Sequence, residues 1–129
     1  MPRRPEKERG TAAVEFALVL PLVMIVALAL VQTGLLVRDR LLVEAAARAA
    51  ARAAAVTDDA AAIREAALGA APSLDGAALV VSAERQGVRG APVTASVGYR
   101  AVVRVPFVTW LFGASVAMGS SATARQEFG

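Results

Sequence analysis

The chain has 129 residues, 14 basic and 11 acidic side chains for a formal net charge of +3, and 57% hydrophobic residues with aromatics at only 5%. So mild a charge, with no basic patch interleaved with aromatics, argues against a nucleic-acid partner. The absence of cysteine and histidine excludes disulfides, thiol chemistry, lipoprotein acylation and Cys/His metal sites, and removes the usual general base at neutral pH.

The length suits one small domain, or a small domain with an anchor. The chain opens on MPRRPEKERG, a basic leader with Arg3, Arg4, Lys7 and Arg9, and then turns apolar. From 16 to 37 it reads FALVLPLVMIVALALVQTGLLV, without an ionisable residue. At about 1.5 Å per residue, some 20 helical residues cross a hydrocarbon core about 30 Å thick. Pro21 falls early in this run, where a membrane helix tolerates it with a modest kink. Gln32, Thr33 and Gly34 weaken its far end and mark a place for a bend, and Arg38, Asp39 and Arg40 close it. A buried helix this long and uncharged would need a much larger soluble domain around it. A cleaved secretory signal would have a shorter apolar region, of about 7–15 residues.

Both flanks carry Lys or Arg, so their count gives little asymmetry. The four N-terminal charges are compressed into a segment too short to be a domain. That favours a single-pass arrangement in the inner (cytoplasmic) membrane, N-terminus cytoplasmic and the rest extracytoplasmic. The expected division is a leader over 1–10, a transmembrane helix over 11–37 and an α+β domain over 38–129.

Residues 36–56 continue as helix, with no Gly or Pro. Arg40, Glu44, Arg48 and Arg52 form a charged stripe in which Arg40–Glu44 and Glu44–Arg48 can pair. The opposite face, led by Leu42, Ala45, Ala46, Ala49 and Ala53, is narrow and lined with alanine. The stripe reads first as a solvated face; small side chains opposite it would also admit a partner helix. Thr57-Asp58-Asp59 caps a second helix over 60–68, ended by Gly69 and Pro72. SLDG (73–76) turns the chain into a weakly alternating strand at 78–84. After RQGVRGAP (85–92), residues 93–105 alternate well, with Val93, Ala95, Val97, Tyr99, Ala101, Val103 and Val105 on one face. A third strand at about 114–126 completes a three-stranded antiparallel meander that needs the helix as its cover. Between the second and third strands, PFVTWLFG (106–113) is either a turn tucked into the core or an exposed apolar tip that binds a partner subunit or the outer membrane face.

The stretch RGTAAVEFALVLPL (9–22) poses a separate question, because Glu15 stands at the mouth of the most apolar run. Reaching back to the headgroups explains how a carboxylate is tolerated there, but not its neighbours. A basic leader ends in Gly10; Thr11, Ala12, Ala13 and Val14 follow, and then Glu15-Phe16. This pattern resembles a prepilin cleavage site of the Flp type, and the wider stretch is similar to the opening of TadE-like proteins, pseudopilin or minor-pilin components of tight-adherence (Tad) pilus systems. The aromatic is Phe16 where Flp pilins usually carry tyrosine, and the chain is much longer than an Flp major pilin. The resemblance implies cleavage between Gly10 and Thr11 by a membrane aspartate-type prepilin peptidase. It implies assembly with other pilin or pseudopilin subunits and the Tad machinery, and a structural part in adhesion. Within that picture, glycine eases local unwinding at the cut. The new ammonium at Thr11 lies about one turn from Glu15, whose carboxylate sets register against a neighbouring subunit.

No P-loop, metal cluster or activated nucleophile accompanies these features, and Asp58-Asp59 is accounted for by capping. The sequence therefore predicts no enzyme, cofactor or metal. The alternative function is an uncleaved, signal-anchored membrane protein whose extracytoplasmic domain binds a ligand.

Overall fold

The structure is a computed structural model that describes residues 6–128. The first part of the leader, with Arg3 and Arg4, lies outside the described residues. The elements in order are α1 (Glu6–Val56), α2 (Ala60–Ala70), a single 3-10 turn (Gly76–Ala78), β1 (Leu79–Arg85), β2 (Pro92–Val102), the short α3 (Thr109–Phe112) and β3 (Ser115–Arg125). The fold is α+β, with a long N-terminal helix, a short second helix and one antiparallel sheet in the order β1-β2-β3.

α1 is an uninterrupted helix of 51 residues. Leucine, alanine and other good helix formers sustain it through Gly10, Pro21 and Gly34. The helix runs without interruption through 32–34, the place marked for a bend, and there Thr33 Oγ1 donates to the carbonyl of Ala29 at 2.9 Å. The helix ends where its last carbonyls find other donors. Arg85 Nη2 reaches Ala54 O at 2.8 Å, and Glu127 N reaches Ala55 O at 2.8 Å. Arg85 also donates to Thr57 O. These bonds satisfy carbonyls that a helix C-terminus leaves orphaned.

Asp59 then starts α2, its Oδ1 accepting from Ala61 N at 3.0 Å. α2 runs through Gly69 to Ala70 rather than stopping at 68. Its packing explains the extension, because Ala67 and Ala71 are both fully buried. The stop comes instead from Pro72, which disfavours helical backbone in the residue before it; Ala71 has φ −136° and ψ 59°. Arg64 ties α2 to the following turn, with Nη1 on Leu79 O at 2.7 Å and Nη2 on Gly76 O at 2.6 Å.

The sheet has the expected topology. β1 pairs with β2 from Leu79↔Tyr99 to Arg85↔Val93, and β2 with β3 from Pro92↔Arg125 to Val102↔Ser115. Val93, Ala95, Val97, Tyr99, Ala101, Val103 and Val105 are all buried as the alternation predicts, but the strand expected over 93–105 ends at Val102, and Val103 and Val105 belong to the loop that turns onto α1. The first five join one core with Val43, Ala46, Ala47, Ala50 and Ala54 of α1 and with Ile63 and Ala67 of α2. Alanine at these helix positions lets the sheet approach the helix axis closely, and the helix does cover the sheet.

The phase of that helix face differs from the sequence reading. Its centre lies on Val43, Ala46, Ala50 and Ala54, about one residue around from Ala45, Ala49 and Ala53. Alanine surrounds the helix here and carries no phase; Val43 and the partners across the interface set it. The occupants are the protein's own α2 and sheet rather than a partner helix. Arg40, Arg48 and Arg52 face solvent as expected; of the two pairs expected in the stripe, Arg40–Glu44 forms, at 3.3 Å, and Glu44–Arg48 does not.

Candidate membrane and assembly segment

The long helix has two different environments along its length. In the first turns of α1, Thr11 Oγ1 donates to Lys7 O at 2.8 Å. Lys7, Thr11 and Glu15 follow at four-residue spacing and so share a face. Gly10, Thr11, Glu15 and Phe16 are all exposed. Among the described residues Glu15 has neither an ion pair nor a hydrogen bond with its side chain.

Gly10 lies inside the helix, and a Cβ added there would meet nothing within 4 Å. Nothing in the fold requires glycine at this position, yet glycine in a helix interior costs about 1 kcal/mol relative to alanine. Glycine therefore weakens the helix locally at this position. The sequence reading had the helix begin after the leader; the structure carries it back to Glu6.

Beyond Glu15, large apolar side chains stand in the open: Phe16, Leu18, Leu22, Val23 and Met24 are all more than half exposed. The most apolar 18-residue window of α1 has none of its residues buried. Among the described residues α1 is the one helix long and apolar enough to cross a membrane. Large exposed apolar surfaces of this kind mark contact with lipid or protein.

The second environment begins near Ile25, which is half-buried, followed by Leu28, Ala29, Gln32, Leu35 and Leu36 on one face. The end of β2 and the loop beyond it cover this face. Val103, Val105 and Val108 form a small second core against Leu28, Ala29 and Leu35. At its centre Gln32, 1% exposed, accepts at Oε1 from Arg104 N and Val105 N, both at 3.0 Å. In the sequence Gln32 looks only like a weak spot in an apolar run. Its role is to take two amides that leave the sheet ladder, a contact 72 and 73 residues distant in the chain with no local signature.

The 106–113 stretch combines features of both its predicted states. Val108 is fully buried and Phe112 half-buried, whereas Phe107 is 75% and Trp110 71% exposed. No group of three or more His, Cys, Asp or Glu among the described residues is placed to hold a metal ion.

The result is an α+β protein with one exposed apolar helix long enough to cross a membrane and a small sheet domain folded back onto the distal half of that helix. Residues 10–52 are similar to TadE-like proteins, a match that covers the apolar helix and its charged continuation but not the sheet domain. No curated protein and no solved structure matches the chain.

Proposed function

We propose that the protein is a minor pilin or pseudopilin of a Tad-type pilus. α1 holds it in the inner membrane, N-terminus cytoplasmic, with the domain from 38 onward outside. A prepilin peptidase cuts between Gly10 and Thr11, and the mature subunit joins other pilin or pseudopilin subunits through the Tad machinery, in the service of adhesion.

The observation that carries this reading is Glu15: a carboxylate without a partner among the described residues, on an exposed apolar helix, one turn from the residue that would carry the new amine. An unpaired charge in a low-dielectric helix bundle is costly, and pairing it relieves that cost. At 4 Å and an effective dielectric of about 20, the attraction to an ammonium is about 4 kcal/mol before desolvation is subtracted. Much of that gain is cancelled by desolvation, so the pair serves register more than stability. It penalises every axial offset between neighbours except the one that brings Glu15 to a Thr11 amine. Gly10 supports the same reading, since it relaxes the helix at the proposed cut and is not demanded by packing.

The test is Glu15→Ala in cells that make pili. Cleavage should remain largely intact while incorporation into the assembly falls. Normal assembly with the alanine in place refutes the role given to the carboxylate.

A further inference from the structure

The geometry of α1 and the sheet domain fixes which end of that domain meets the membrane. The β1–β2 connection lies at the far end of α1, where Arg85 binds the carbonyl of Ala54 and the strand-end residue Glu127 binds that of Ala55. The β2–β3 connection lies at the near end, against Leu28, Ala29, Gln32 and Leu35. Its exposed residues Phe107, Trp110 and Leu111 are therefore at the membrane-proximal end of the domain.

Length then decides how close that end comes. The part of α1 that is free of the domain and uncharged, from 16 to 24, is only about 13 Å long at 1.5 Å per residue. Counted from Thr11 it is still only about 21 Å, against a hydrocarbon core of about 30 Å. The covered stretch from Ile25 to about Val37 must supply the rest of the span. Gln32 stands about 24 Å from Phe16 along the helix. The loop bound to it is thus held at the outer part of the bilayer rather than above it.

Resting on the reading of α1 as a membrane span, we infer that the 107–111 tip is a lipid anchor: Phe107, Trp110 and Leu111 seat in the interface of the leaflet on the domain's side. The chemistry of the tip fits that occupant. Tryptophan prefers the headgroup boundary, where its ring is apolar and its N–H stays hydrated. The tip's inner side is fastened by Val108, fully buried, while the side chains of Phe107 and Trp110 are left exposed. Arg104, exposed beside it, has the reach to meet lipid phosphates. Such an anchor sets the height of the sheet over the bilayer and, through the rigid helix, the depth of Glu15 within it.

Trp110 is the chain's one tryptophan, so its fluorescence reports on the tip directly. The full chain is placed in vesicles of phosphatidylcholine and phosphatidylglycerol, with quenchers fixed near the glycerol level, deep in the acyl chains, or dissolved in water as acrylamide. The expected result is emission shifted to the blue of the denatured chain, lost most to the shallow lipid quencher and least to acrylamide. Strong quenching by acrylamide without loss to lipid quenchers overturns the inference, and so does shielding from every quencher, which would assign the tip to a protein contact. A Leu20→Trp, Trp110→Phe chain checks the span itself. Deep quenching at position 20 with a water-exposed Trp110 in the unaltered chain sinks the anchor alone, whereas failure at position 20 removes the membrane reading beneath it.

Discussion

Replacing Gln32 with leucine should release the 103–108 segment from α1. The side chain is 1% exposed and its Oε1 is the acceptor for two backbone amides. Leucine keeps most of the volume and makes the apolar run more apolar, so a loss would report on the missing acceptor rather than on packing or insertion. A buried amide left without a partner costs about 1–3 kcal/mol. The Val105 bond is buried and the Arg104 bond partly so, which gives about 2–4 kcal/mol for the pair. Because 1.36 kcal/mol is a factor of ten, the segment should open about 30- to 1,000-fold more readily. Hydrogen exchange by mass spectrometry on the full chain in detergent reads this from peptides covering 103–112. Peptides covering 93–101, held by the sheet and the main core, should keep their protection. Amides at 104 and 105 that exchange at the unaltered rate in Gln32→Leu would refute the reasoning.

Two other substitutions test the joints of the fold. Arg85→Met removes the donor that binds the carbonyls of Ala54 and Thr57; hydrogen bonds from charged groups contribute about 1.5–3 kcal/mol, so the denaturant midpoint of the full chain should fall, and an unchanged midpoint would show that this cap is dispensable. Ala50→Leu forces a larger side chain into a fully buried contact between α1 and the sheet, which should cost about 1–3 kcal/mol; thermal unfolding at the unaltered temperature would mean that the helix and sheet are not packed at alanine distance.

The parts of this protein that were legible in its sequence are those encoded by local pattern. Strict alternation from Val93 to Ala101 marked a strand face and its burial, because a strand has only two faces. Thr57 to Asp59 announced a helix start, and Asp59 caps it. The apolar run announced the exposed helix, and Gly10 with Glu15-Phe16 the likeness to TadE-like proteins over residues 10–52. What was not legible depends on long-range partners. In a stretch of alanine on every side, no residue marks the packed face, so the phase of α1 shifted by about one position. Gln32 and Arg85 bind backbone atoms far away in the chain, and nothing near them foretells it. The loop at 106–113 divides its residues between core and surface because only Val108 and Phe112 face α1 and the sheet, a distinction that composition does not encode.

The central claim is that the working form of this protein begins at Thr11. Intact-mass measurement, with N-terminal sequencing, of the chain extracted from pilus-producing cells and from cells lacking the prepilin peptidase addresses it directly. The account predicts a polypeptide starting at Thr11 in the first sample and at the leader in the second. A chain that retains residues 1–10 in cells bearing functional pili would contradict it.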